Sequence, residues 1–91
     1  MKYTREPNRV FAEDEKGNFM AEVTFPEHEE DIVTIDHTYV DPSLRGQGVA
    51  TELMRHAYEH IKANGKKARA TCPYAISWFR RNPEAKDILI S

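Results

Sequence analysis

The sequence predicts an α+β fold: a mixed, mostly antiparallel four-stranded sheet with two helices, in the order β-β-β-α-β-α. Three observations predict it. Three strand-like stretches come first, separated by short segments rich in turn formers. One long amphipathic helix follows, and such a crossover lets the next strand lie parallel. The chain has 91 residues, enough for one domain over 1–91 and a small core. A domain of this size buries about 60–65% of the surface its unfolded chain exposes.

The elements follow in order. Residues 1–8 read as a loose lead-in. Val10-Phe11-Ala12 begins a short strand, and Phe19 to Phe25 forms a second. Asp14-Glu15-Lys16-Gly17-Asn18 between them reads as a hairpin loop. Pro26 to Asp31 is an acidic loop. Ile32 to Val40 is a longer strand with many β-branched residues, stopped by Asp41-Pro42-Ser43. Gln47 to Asn64 is the clearest element: Val49/Ala50, Leu53/Met54, Ala57/Tyr58 and Ile61 recur as a helical stripe. Asn64-Gly65 stops it. Lys67 to Cys72 is a fourth strand. Pro73 suits the first turn of a helix running over Tyr74 to Arg81, ended before Pro83. Glu84 to Ser91 is one helical turn or irregular.

Composition sets the function classes. Hydrophobic residues make up 40% and charged residues 31%, which argues against wholesale disorder. No apolar run approaches the roughly 20 residues of a membrane span, and no signal peptide is visible behind Met1-Lys2-Tyr3. A cytoplasmic location without a membrane partner is expected. The net charge of −2 gives no reason to expect a nucleic-acid partner. Residues 1–45 carry five Lys/Arg against eleven Asp/Glu, and residues 46–91 carry eight against four. That split suits an anion at one end and a cation at the other, or simply two solvated faces. Cys72 is the single cysteine, so neither an internal disulfide nor a multi-cysteine zinc site is expected. His56 and His60 stand four apart on the long helix with Glu52 nearby. They read as part of a solvated face, and no metal is expected.

The informative segment is Val40-Asp41-Pro42-Ser43-Leu44-Arg45-Gly46-Gln47-Gly48-Val49-Ala50, between a strand and the strongest helix. Its glycines let the backbone approach a ligand closely. The first N–H groups of the helix lack intrahelical acceptors and carry the positive end of its dipole, which suits phosphate oxygens. A P-loop needs Gly-Lys-Ser/Thr, and Gly48-Val49-Ala50 lacks the lysine. A dinucleotide fingerprint fails at Thr51 and in its place after the third strand. An Arg-x-x-Gly-x-Gly/Ala pyrophosphate loop is met in full by Arg45, Gly48 and Ala50.

This segment, followed by Leu53 and Met54, resembles the acetyl-coenzyme A loop of the GNAT N-acetyltransferase superfamily. His37-Thr38, Cys72-Pro73-Tyr74 and Trp78 resemble its small stand-alone branch, over roughly residues 10–83. The resemblance implies a minimal GNAT-like core, with no room before Val10 for N-terminal helices and no strand pair after the last helix. It implies acetyl-coenzyme A as cofactor. The main-chain N–H groups of Arg45, Gly46, Gln47, Gly48, Val49 and Ala50 hold the pyrophosphate, with Thr51 in the same turn. Tyr39 and Val40 pair with the pantetheine arm as a pseudo-strand. The fourth strand splays from the third, with Cys72, Pro73 and Tyr74 at the gap. The implied activity is acetyl transfer to an amine of a small molecule or protein, one route passing through acetyl-Cys72. A coenzyme A-binding module or sensor without turnover is the alternative. A tyrosine that serves as general acid in larger relatives is replaced by Phe79.

The catalytic candidates are Cys72, His37 and Tyr74. Cys72 can accept acetyl as a thioester or act as an acid, its thiolate favoured at a helix start, or it is a buried small residue. His37 can serve as base; strict alternation puts it on an apolar face with Val33, Ile35 and Tyr39, where a structural histidine is the other reading. Asp36 is the reserve. The Val40 N–H is the oxyanion donor by resemblance. Tyr74 is a proton donor or an aromatic wall. Trp78 and Phe79 are packing residues, and Arg80-Arg81 meet an anionic ligand group or solvent.

Overall fold

The structure is a computed structural model that describes residues 1–90. It has seven strands and two α-helices: β1 (Lys2–Glu6), β2 (Arg9–Glu13), β3 (Phe19–Thr24), β4 (Glu27–Glu29), β5 (Ile32–Ile35), β6 (His37–Val40), α1 (Val49–Ala63), β7 (Lys67–Ala70) and α2 (Pro73–Arg81). Short 3-10 turns cover Pro42–Leu44 and Pro83–Ile88. The α+β class holds, and the strands form two sheets. One is antiparallel in the order β1-β2-β3-β6. The other has the order β4-β5-β7, with β5 and β7 parallel across the α1 crossover.

Residues 1–8 are not a lead-in. Lys2–Glu6 turns at Pro7-Asn8 and pairs with β2 from Lys2↔Glu13 to Glu6↔Arg9. Its side chains grip α1, and Tyr3 also packs against the core. Tyr3 stacks on His56 with ring centroids 4.7 Å apart, and Arg5 Nη2 donates to Glu59 Oε1 at 2.8 Å and approaches His56 Nδ1 at 3.1 Å. His60 Nε2 donates to the Glu6 carbonyl at 3.0 Å. The His56/His60 face of α1 is therefore covered by β1 and not merely solvated.

The acidic loop also contains a strand. Glu27–Glu29 pairs with β5, and Lys66 Nζ binds Glu27 Oε1. The longest expected strand, Ile32 to Val40, breaks at Asp36. Before the break Ile35 pairs with Ala70 of β7; after it His37 pairs with Thr24 of β3. Asp36 bridges the change: its N–H donates to the Thr24 carbonyl at 3.3 Å, and its Oδ1 accepts from Thr24 Oγ1 at 2.7 Å. A break of this kind shifts side-chain alternation by one residue. Val33 and Ile35 face inward, while His37 and Tyr39 face outward and Thr38 and Val40 take the inner side.

The core lies between the sheets and the helices. Val10, Ala12, Ala21, Val23, Val33 and Ile35 meet Leu53, Met54, Ala57 and Ile61 of α1, with Trp78 and Phe79 of α2. Trp78 and Phe79 are packing residues, as expected, with rings 5.2 Å apart edge to face. Pro73 opens α2, also as expected, and Cys72 is its cap residue. The tail to Ile90 is a 3-10 turn followed by a bridge from Leu89 to Ala68. Ser91 lies outside the described residues. Among the described residues, no helix is long and apolar enough to cross a membrane.

Candidate functional site

The site begins where β6 ends. Asp41 Oδ1 accepts from the Ser43 N–H at 2.9 Å and the Ser43 hydroxyl at 2.7 Å. These bonds hold the Asp41 carboxyl below its ordinary pKa. They wind Pro42–Leu44 into a 3-10 turn, and the Arg45 and Gln47 N–H groups then donate to the Pro42 and Leu44 carbonyls. Gly46 and Gly48 follow at φ 79° and 76°, a region where other residues are strained. These two left-handed residues turn the chain into α1. Gly48 caps α1 without any side chain, and the first intrahelical acceptor is its own carbonyl, bonded by the Glu52 N–H at 3.1 Å.

The consequence is a set of free donors. Among the described residues, the N–H groups of Gly46, Gly48, Val49, Ala50 and Thr51 make no main-chain hydrogen bond. Five free donors within six residues at the positive end of a 15-residue helix form an anion site. A cleft of about 290 Å³ opens onto them, lined by Val40, Leu44, Arg45, Gly46, Gly48, Val49, Ala50, Thr51 and Tyr74. Arg45 is exposed at its rim. Tyr74 closes the far wall, its hydroxyl 3.3 Å from Thr51 Oγ1.

Four of the expected cofactor residues do not line this cleft. Gln47 has its N–H engaged, and its side-chain amide donates to the Ser43 carbonyl at 3.3 Å. Tyr39 faces outward and stacks on Phe19 at 5.9 Å. Cys72 and Pro73 stand further along, where β5/β7 and β6 part. The N–H groups of Thr71 and Cys72 both donate to the Ile35 carbonyl at 3.1 Å. Beyond that point β6 joins β3 and the segment after β7 turns into α2, so β6 is left as the edge of its sheet. Leu44 was not anticipated as a cleft residue. Its signal was a lone apolar side chain in an otherwise polar turn.

Cys72 is buried, with its Sγ 3.5 Å from Thr38 Oγ1. Burial pushes the thiol pKa up, but the Thr38 hydroxyl and the N–H dipoles of Ala75, Tyr74 and Thr38 outweigh it and bring the thiol below its ordinary value. Cys72 makes no side-chain capping bond to α2; the Tyr74 and Ala75 N–H groups act as weak dipoles at the helix start and that of Thr38 acts from β6.

His37 is not on the apolar face. It is exposed on the outer side of the sheet, its Nε2 3.8 Å from Glu22 Oε2, and Glu22 Oε1 accepts from Arg9 Nε at 2.8 Å. Thr38 points to the other side, toward Cys72. The structure thus brings Cys72 to Thr38, Tyr74 to Thr51 and His37 to Glu22, and does not gather the three catalytic candidates.

A free-amide loop between strand and helix invites comparison with known proteins. The sequence profile described as GCN5-related N-acetyl-transferase matches residues 9–88. The chain belongs to that family. The match bears out the membership that the loop motif led us to expect.

This GCN5-related chain is 35% identical over 52 residues to Protein NATD1 of Gallus gallus and of Homo sapiens. The match covers 57% of this chain and 47% or 46% of those proteins, so the chain spans about half the length of the curated relatives it matches. A GCN5-like protein of Staphylococcus aureus, solved by NMR, superposes with a TM-score of 0.78 at 28% identity, covering 99% of this chain and 88% of that one. An IAA acetyltransferase of Bacillus cereus superposes at 0.64 with 22% identity, over 81% of this chain and 52% of that one. That second likeness speaks for the fold alone.

Proposed function

We propose that this chain is an acetyl-coenzyme A-dependent N-acetyltransferase that passes acetyl to an amine of a small molecule or a protein. The observation that carries the reading is the run of free N–H groups at Gly46, Gly48, Val49, Ala50 and Thr51. Their number, their place at a helix start and Arg45 beside them suit a pyrophosphate. The open edge of β6 offers the main chain of Val40 to a pantetheine arm in the manner of an added strand, while that of Tyr39 faces β3 opposite Glu22. Val40 lines the cleft and its N–H is the donor for a developing oxyanion.

Acetyl-coenzyme A supplies an activated thioester carbonyl. Cys72 has two candidate roles at the strand gap. As nucleophile, its thiolate forms a new C–S bond to the acetyl carbon while the coenzyme A thiolate leaves and takes a proton. The acceptor amine then forms the C–N bond, loses its proton and releases Cys72. As acid, Cys72 gives its proton to the departing thiolate in a single direct transfer. Pro73 fixes the start of α2 beneath the thiol. Tyr74 walls the cleft and is a second proton donor. His37, exposed 3.8 Å from Glu22, accepts the amine proton if the amine comes from the outer side of the sheet.

A second reading has an observation of its own. Phe79 is buried where larger relatives use a tyrosine acid, and His37 lies on the opposite side of β6 from the residue that meets Cys72. Both suit a coenzyme A-binding module without turnover. Intact-mass measurement after mixing with acetyl-coenzyme A separates the readings. Acetyl on the wild type and none on Cys72→Ala supports the covalent route. Amine acetylation by Cys72→Ala supports direct transfer. Retained, unreacted cofactor with every amine tried supports the module, and no retention at all overturns both readings.

A further inference from the structure

Tyr74, which walls the loop cleft, is the first of a line of side chains along one side of α2. Ser77 and Arg81 follow Tyr74 by three and seven residues, on the same side of α2. Arg81 reaches back along that side. Its Nη1 donates to Ser77 Oγ at 3.2 Å, and its Cζ stands 5.8 Å from the centre of the Tyr74 ring. Arg80, one residue earlier, is directed elsewhere and lines a recess with Ala70, Ile76, Phe79, Lys86 and Leu89.

Charge pairing sets Arg81 apart from the arginines of the sheets. Arg5, Arg9 and Arg69 each meet a glutamate. Among the described residues Arg81 meets no carboxylate, and it is exposed. Its guanidinium is held in place by a hydroxyl and an aromatic face, with most of its donors still free. An arginine so held, over the wall of a cleft built for one anion, is suited to a second anionic group on the same ligand.

Coenzyme A carries such a group: a 3′-phosphate on its ribose, beyond the pyrophosphate. We propose that Arg81 reads this phosphate and so distinguishes coenzyme A from its 3′-dephospho form. The proposal rests on the coenzyme A reading and adds a specificity-determining residue to it. Arg80, equal in charge and adjacent in sequence, takes no part because it faces the other recess.

The test is calorimetric titration of the wild type, Arg81→Ala, Arg81→Gln and Arg80→Ala with coenzyme A and with 3′-dephospho-coenzyme A at low salt. The wild type prefers coenzyme A by about tenfold, the worth of one exposed charge-assisted contact. Arg81→Ala and Arg81→Gln bind the two ligands equally, with affinity for the dephospho form unchanged. Arg80→Ala keeps the wild-type preference. Each ratio is taken within one protein, so partial unfolding of a variant cancels. A preference that survives in both Arg81 variants overturns the proposal. So does an equal loss for both ligands, which would make Arg81 a prop for Tyr74, and so does a wild type without preference. A wild type that binds neither ligand overturns the cofactor reading itself, a result distinct from equal binding of the two.

Discussion

Gly48 is the sharpest point at which to perturb the loop. It caps α1 at φ 76° and ψ 12°, and a Cβ built there meets no atom within 4 Å. Gly48→Ala therefore adds no clash within the protein. Its folding cost is that of a left-handed backbone, about 1–2 kcal/mol, offset by about 0.4–1 kcal/mol through a stiffer unfolded chain. The net loss of about 1 kcal/mol lowers Tm by about 4–8 °C in a domain of this size. Gly48→Glu carries the same backbone strain and also sets a carboxylate beside the pyrophosphate. Two like charges about 4 Å apart near a protein surface repel by about 4 kcal/mol. Solvent screening reduces this at an open cleft, so coenzyme A binding falls by at least about a hundredfold. Scanning fluorimetry of both variants gives Tm, and calorimetry gives the affinities. The reasoning is refuted by a folded Gly48→Glu protein that binds coenzyme A as the wild type does. It is also refuted if Gly48→Ala fails to fold, because the strain accounts for only a modest loss.

Three further outcomes follow from the geometry. Iodoacetamide alkylates thiolate, so the rate at Cys72 reaches half its maximum at a lower pH than for an ordinary thiol; Thr38→Val removes a donor and moves that midpoint up, and a midpoint that stays put contradicts the account. Leu53 is fully buried, so urea titration of Leu53→Ala shows a loss of about 2–5 kcal/mol, whereas a negligible loss contradicts its place in the core. Arg5→Ala frees β1 from α1, so amide hydrogen exchange across Lys2–Glu6 accelerates while that of β3 is unchanged; equal protection in both proteins contradicts the clamp.

The sequence announced some elements because their cause is local. The stripe from Val49 to Ile61 sets α1, Pro73 sets the start of α2, and Asp14-Glu15-Lys16-Gly17-Asn18 sets the hairpin loop. Other elements owe their form to distant partners. β1 has no apolar run, and what holds it is the ladder to β2 and a set of polar contacts to α1. β4 is Glu-His-Glu, strand-like only because β5 lies beside it. The break at Asp36 falls inside a stretch that reads as continuous. It arises because β7 claims the residues before it and β3 those after it, and the resulting slip moved His37 to the outer side. The loop shows the same division. Gly46, Gly48 and Arg45 were legible by type. Which amides stay free was not, because the 3-10 turn set by Asp41 consumes those of Arg45 and Gln47.

The measurement closest to the central claim is a ¹H–¹⁵N spectrum of the wild-type domain titrated with coenzyme A. The amides of Gly46, Gly48, Val49, Ala50 and Thr51 are predicted to move downfield together, as they acquire phosphate acceptors, while those of Arg45 and Gln47 move less because their carbonyl partners remain. Saturable binding that leaves these five signals in place would contradict the account, as would a spectrum that does not change at all.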